Sequence, residues 1–299
     1  MSWKSGLYAL LFMRICRAYA RTLGNKPADS MMCVLSSFDF FKVHGYWPNF
    51  MYPRTFEEKV CHRMLFDRDQ RWTMLSDKLY LRDYVANRIG SDYLVPLLWS
   101  GEGPEEIPFD DFPSKFVIKA NHGCAYNIIV TDKMQLCRDK AVRQLKRWLS
   151  ENFGRDRVLG TAWAYKNITP AIMVEEFLEE NGNVPLDYKF FCFSGRAEFI
   201  QMNFDRFGDA WEKTLDREFM PLDLWQGTRQ YEGEISRPNN FAKMIRVAET
   251  LSEGLDFIRV DMYNVRDRLY VGELSCYPGG GRIRFIPRKY DFILGEKWK

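Results

Sequence analysis

The sequence predicts an α+β protein in which two mixed lobes follow a helical N-terminal region, and three observations predict it. Helix-start signals dominate up to about residue 100, a Pro-, Gly- and acid-rich stretch at 101–113 then interrupts the chain, and from Lys115 onward two successive groups of strands each carry a helix. The expected divisions are 1–113 for the helical region, 114–173 for a small lobe and 174–299 for a C-terminal lobe.

In the N-terminal region, an apolar run at 7–13 behind Lys4 leads into Arg14, Arg17 and Arg21. On a helical wheel Tyr8, Phe12, Ile15 and Tyr19 share one side and the arginines another. The run is far short of the ~20 apolar residues that span a bilayer, and no small-residue cleavage site follows. The segment reads first as a helix packed on its own domain; peripheral membrane association through residues 1–22 is the alternative. Thr55-Phe56-Glu57-Glu58 fits a capping box opening a helix to Asp67, and Ser76-Asp77-Lys78 opens another that Gly90 stops. Residues 93–99 read as a strand.

The small lobe begins with Phe116-Val117-Ile118-Lys119, an apolar strand ending in a cation. The small-residue loop 121–127 follows, then a strand at 128–131, a helix at 139–153 and a strand at 171–177. The C-terminal lobe has strands at 188–193, 197–204, 257–263 and 269–274 and a helix at 240–254.

Composition narrows the function. With 43 basic and 40 acidic residues the net charge is only +3, too balanced for bulk electrostatic binding of nucleic acid. The chain is 46% hydrophobic and 16% aromatic, which argues for a packed core rather than disorder. Seven scattered cysteines without a C-x-x-C pair fit reduced thiols in the cytoplasm, and three histidines leave little for a zinc site.

The chemistry concentrates in one predicted hairpin. Asp261 lies in one strand and Glu273 in the next, with polar residues 264–268 between them. An odd-numbered loop such as Arg266-Asp267-Arg268 would set the two carboxylates opposite each other on one face. Hard oxygen ligands of this kind suit Mg²⁺ bound together with substrate phosphates. In Asp187-Tyr188-Lys189-Phe190-Phe191-Cys192-Phe193, alternation puts Asp187, Lys189, Phe191 and Phe193 on one face. Backbone amides of the loop around His122 and Gly123 could approach phosphate oxygens.

This order of a lysine strand, a small-residue loop, an acidic strand end at 172–178, a second lysine strand, R-x-D and E-x-S-x-x-P-G resembles the ATP-grasp superfamily over residues 76–284. The closing segment is similar to that of D-alanine–D-alanine ligases. The Asp-Tyr-Lys-Phe and Gly-Glu-Leu-Ser-Cys-Tyr-Pro-Gly-Gly-Gly wording is most similar to the TupA-like branch found with bacterial surface-polysaccharide genes. The resemblance implies an ATP-grasp fold, two α+β lobes sandwiching ATP, with ATP and Mg²⁺ as cofactors. It implies nucleotide contacts from Lys78, Lys119, His122, Gly123, Lys189 and the interlobe segment Glu175, Glu176, Phe177 and Leu178. Arg259 and Lys189 would act on the transferred phosphoryl group, and Asp261, Glu273 and Ser275 would hold metal. Ser275 stands where related ligases carry asparagine. By its position beside the glycines, the forked Arg282 and Arg284 pair is expected to bind the acid substrate.

The implied activity is an ATP-dependent carboxylate–amine ligase that forms an amide through an acylphosphate. It would join an amino acid or amine to an acidic sugar or a glutamate-type carboxylate in surface-polysaccharide (capsule, O-antigen or teichuronopeptide) biosynthesis. An ATP-grasp kinase and a non-catalytic nucleotide-binding component are the alternatives.

Overall fold

A computed structural model describes residues 27–156, 162–180, 182–204, 211–227 and 229–299. The expected amphipathic helix at 1–22 lies outside them. No described helix is long and apolar enough to cross a membrane.

Four helices come first: α1 (Pro27–His44), α2 (Phe56–Phe66), α3 (Gln70–Ser76) and α4 (Lys78–Ile89). The capping box forms as expected. Thr55 Oγ1 accepts from the Glu58 amide at 3.2 Å, and the Glu58 carboxylate takes the amides of Asn49, Arg54 and Thr55 at 2.8–3.2 Å. Asp77 caps α4 through the Leu79 amide, and Gly90 ends it at φ 101°.

The smaller sheet has the order β1-β4-β2-β3, from β1 (Leu97–Gly101), β2 (Phe116–Ala120), β3 (Asn127–Val130) and β4 (Ile172–Glu176). The strand expected at 93–99 is displaced: Ser91–Tyr93 is a 3-10 turn, and β1 pairs antiparallel with β4. Residues ahead of the expected 113/114 division therefore supply the edge strand of this sheet, and β4 runs across the 173/174 division. In β2, Phe116, Ile118 and Ala120 bury with Leu145 and Trp148 of helix α5 (Arg138–Ser150). The period of two then sends Lys119 to the opposite face. A short helix, α6 (Phe153–Asp156), follows.

The larger sheet has the order β10-β9-β5-β6-β7-β8: β5 (Asp187–Phe193), β6 (Arg196–Phe204), β7 (Trp211–Asp216), β8 (Arg229–Gln230), β9 (Phe257–Val265) and β10 (Arg268–Ser275). Helix α7 (Phe241–Ser252) covers one face, where Phe190 meets Phe241 and Cys192 Sγ meets the Ala248 carbonyl. On the other face the aromatic half, Phe191, Phe193 and Phe257, is closed by Phe56 of α2. The charged half, Asp187, Lys189, Arg259 and Asp261, turns toward the smaller sheet.

The last helix, α8 (Lys289–Lys297), docks on the start of α2 through buried acids. The Asp291 carboxylate accepts the Glu57 amide at 3.0 Å, and Glu57 accepts the Ile283 amide at 2.9 Å. Burial pushes the Asp291 carboxyl up to about 6. Burial, and then the neighbouring Asp291, push Glu57 well above the ordinary carboxylate range. The native state thus holds the Asp291 proton to higher pH than the unfolded chain does, and its stabilisation, complete below the unfolded value of ~4, is lost as pH rises through about 6. Across that window the loss is roughly 3 kcal/mol. Asp291→Asn keeps the acceptor for the Glu57 amide and should flatten this dependence. Urea unfolding from pH 4 to 7 checks it: parallel pH profiles for the two proteins would contradict the assignment.

Candidate active site

The hairpin reaches its expected pairing by an unexpected route. Arg266 and Asp267, at φ 50° and 64°, form a two-residue turn that pairs Val265 with Arg268. That register alone would set Asp261 opposite Gly272. A bulge between Val271 and Glu273 absorbs one residue, so Asp261 pairs with Glu273 and Arg259 with Ser275. Gly272 fits because a Cβ there would sit 2.9 Å from the Tyr263 ring.

Around Asp261 the charges are tightly set. Arg259 grips it with two bonds, Nε to Oδ1 at 2.7 Å and Nη2 to Oδ2 at 2.6 Å. Lys189, the cross-strand partner of Asp261, approaches Oδ2 at 3.3 Å and also bonds Asp187. Burial alone would raise the Asp261 pKa, but Arg259 and Lys189 outweigh it and hold the carboxyl below its usual range. Burial works against the Arg259 charge too, and Asp261, Glu273 and Asp187 more than offset it. Glu273 forms no ion pair among the described residues.

The facing wall comes from the smaller sheet and α4. Lys119 Nζ bonds Glu175 Oε2 at 2.6 Å, and Arg82 Nη1 bonds Glu175 Oε1 at 2.7 Å. Burial opposes the Lys119 charge, but Glu175 and Glu273 hold its pKa above the usual value, which places Lys119 within the field of the hairpin. Lys78 donates to the Gly123 carbonyl at 2.5 Å, and the Asn121 side chain donates to Asp77 at 2.9 Å, so the start of α4 is tied to the small-residue loop.

Other expected residues are placed differently. His122 is 1% exposed, its Nε2 2.9 Å from the Trp148 carbonyl and its Nδ1 3.2 Å from Asn121 Oδ1, and burial lowers its pKa. Its ring is thus occupied inside the small lobe. The Glu175 side chain is committed to two cations, and the backbones of Glu175 and Glu176 lie in the sheet; Phe177 and Leu178 lead out of it toward β5. Arg282 and Arg284, expected to bind the acid substrate as a pair, diverge. Arg282 grips Asp39 of α1 at 2.6–2.7 Å, whereas Arg284 donates to the Val43 carbonyl.

A cavity of about 480 Å³ opens beside the hairpin. Arg259, Glu273, Ser275 and Arg282 lie on its walls with Asp39 of α1 and Tyr165. The turn at Gly279 and Gly280, φ 63° and 60°, forms part of the rim. Cys276 is 2% exposed and burial pushes its thiol up to about 12, which fits a bystander. Among the described residues no group of three or more His, Cys, Asp or Glu could hold a metal. Two opposed carboxylates amid cations fit a Mg²⁺ that takes its remaining ligands from phosphate and water. The sequence reading missed Arg82, four residues after Lys78 and so on the same side of α4, and Asp39, whose partner lies 243 residues away.

Two α+β lobes with lysines facing a carboxylate hairpin are the ATP-grasp arrangement. The chain belongs to the TupA-like ATP-grasp family, whose model matches residues 58–299. No curated protein sequence matches it. Similar solved structures include a D-alanine–D-alanine ligase from Bacillus anthracis complexed with ATP, at 15% identity and TM-score 0.40, covering 69% of this chain and 55% of that one. The ATP-grasp ligase PsnB complexed with a minimal precursor is 13% identical, TM-score 0.42, covering 76% of this chain and 62% of that one. An L-amino acid ligase from Bacillus licheniformis is 14% identical, TM-score 0.41, covering 69% and 41%. The chain thus spans about 41–62% of the length of these three proteins.

Proposed function

We propose that the chain is an ATP-dependent carboxylate–amine ligase. The carrying observation is the pairing of Asp261 with Glu273 beside Arg259 and Lys189, facing Lys119. In the proposed reaction a carboxylate oxygen of the acid attacks the γ-phosphorus of ATP and ADP leaves. An amine nitrogen then attacks the acyl carbon, phosphate leaves and the nitrogen loses a proton. Mg²⁺, when bound, neutralises phosphate charge. Lys119, Lys189 and Lys78 are assigned to the phosphates, with Gly123 of the small-residue loop, Arg259 to the transferred group, and Asp261 and Glu273 to the metal, with Ser275 a weaker oxygen donor. Phe177 and Leu178 are assigned to the nucleotide base through their backbone.

The acid belongs in the cavity beside the hairpin, where Arg282 is the candidate for its recognition. The family wording supports a role in surface-polysaccharide synthesis, the acid being a hexuronic or glutamate-type carboxylate and the amine an amino acid. The free thiols of the described cysteines support a cytoplasmic setting.

ADP release measured over a matrix of hexuronic acids and amines, with product masses, tests this reading. Amide products accompanied by ADP and phosphate are expected; AMP and pyrophosphate, or a phosphorylated sugar formed without amine, would overturn it. Arg282→Gln should raise the KM for the acid about tenfold and leave that for ATP nearly unchanged, since only one charged contact is lost. Steady-state kinetics with each substrate varied checks this, and a selective rise for ATP would reassign the residue.

A further inference from the structure

A second cavity, of about 400 Å³, lies beyond the glycine turn and is lined by the end of α1, the segment 284–286 and the start of α8. Its basic side chains are Lys42, His44, Arg284 and Arg288. Among the described residues, Lys42, Arg284 and Arg288 have no carboxylate partner. Arg282, only two residues before Arg284, grips Asp39, so the lack of an acid is local to this cavity. Both arginines are nevertheless held: Arg284 donates to the Val43 carbonyl, and Arg288 lies 4.3 Å over the Tyr46 ring.

The field at this point is positive. Burial lowers the His44 pKa, and Arg284 and Arg288 depress it further, against the hydrogen bond to Gly281 and the Glu58 charge. Asp291 is the acid on the wall, and its carboxylate is turned to the Glu57 amide. The first turn of α8 adds amide dipoles favourable to an anion, while the carbonyl end of α1 opposes them and is partly occupied by Arg284. Planar guanidinium forks suit tetrahedral phosphoryl oxygens, and two held arginines with Lys42 beside them exceed what one carboxylate needs.

We propose that this cavity is a binding site for a diphosphate group, separate from the nucleotide cleft. One strand of chain joins the two places: Gly279–Gly281 and Arg282 line the cavity beside the hairpin, Arg284–Ile286 line this one, and His44 Nε2 lies 3.0 Å from the Gly281 carbonyl. Resting on the ligase reading, the diphosphate is that of an activated or lipid-linked acid sugar whose carboxylate lies in the cavity beside the hairpin, at Arg282.

Calorimetric titration of inorganic pyrophosphate into the protein saturated with a non-hydrolysable ATP analogue tests the site. Arg284→Gln with Arg288→Gln should weaken binding at least tenfold, and Lys42→Gln, on an exposed helix position, should weaken it a few-fold without disturbing the fold. Lys119→Ala, titrated at an analogue concentration that saturates this variant too, should leave it unchanged. Loss in Lys119→Ala alone, or unchanged binding in both the double variant and Lys42→Gln, would overturn the proposal. If the analogue itself does not bind, the ligase reading fails, while the same comparison of variants still decides this site. Phosphatidylcholine vesicles doped with a polyisoprenyl diphosphate identify the source: retention of the native protein but not the double variant supports a lipid-linked group. Pyrophosphate binding without retention supports a soluble one.

Discussion

Asp261→Asn and Glu273→Gln should each lower kcat by about 10³-fold or more, roughly 4 kcal/mol in the barrier, because each removes a hard anionic donor from the proposed metal position. The two should differ in stability, which separates chemistry from folding. Asp261 is 5% exposed and neutralises Arg259 and Lys189, so its loss leaves Arg259 facing a neutral amide and Lys189 with Asp187 alone. Breaking such a set costs about 3 kcal/mol. Glu273 carries no ion pair among the described residues, and Glu273→Gln should unfold within about 0.5 kcal/mol of the native protein. Thermal unfolding beside steady-state rates checks both. Equal stability losses would mean that Glu273 is a structural acid, and near-normal turnover in either variant would contradict the metal assignment.

The second large effect concerns Glu175. It holds Lys119 at 2.6 Å and Arg82 at 2.7 Å, with side-chain exposures of 8%, 23% and 16% for the three groups. Glu175→Ala leaves two cations close together with their shared anion gone, and should lower stability by about 3 kcal/mol. It should also weaken ATP binding, because Lys119 loses the group that aims it across the cleft. Adding Lys119→Met to the variant removes the repulsion between the two cations and should restore part of the stability, but none of the nucleotide affinity. Chemical unfolding and nucleotide titration of the single and double variants check this. A double variant that recovers no stability would contradict the charge account of Glu175.

How far these features can be read from the chain depends on the range of the interactions. The capping box at Thr55 and the common face of Asp187, Lys189, Phe191 and Phe193 are local, set by helix and strand periods, and both form as expected. The opposition of Asp261 and Glu273 depends only on parity. A two-residue turn plus one bulged residue meets that condition as well as a three-residue loop does, and the sequence does not separate the two. Strand β7 was missed because Glu212, an acid, points inward at 1% exposure and bonds Gln201, which breaks the apolar alternation. The divergence of Arg282 and Arg284 was also out of reach, since Asp39 and Val43 on α1 decide it from more than 240 residues away.

The central claim is that this cleft activates a carboxylate with ATP before an amine attacks. Hydroxylamine tests it most directly, since it intercepts an activated acyl group whatever the natural amine is. With ATP, Mg²⁺ and a productive acid, an acyl hydroxamate identified by mass should accumulate in step with ADP and phosphate, and should vanish in Glu273→Gln. ADP formation dependent on the same acid but yielding no hydroxamate, with the phosphate retained on the acid substrate's hydroxyl, would contradict it.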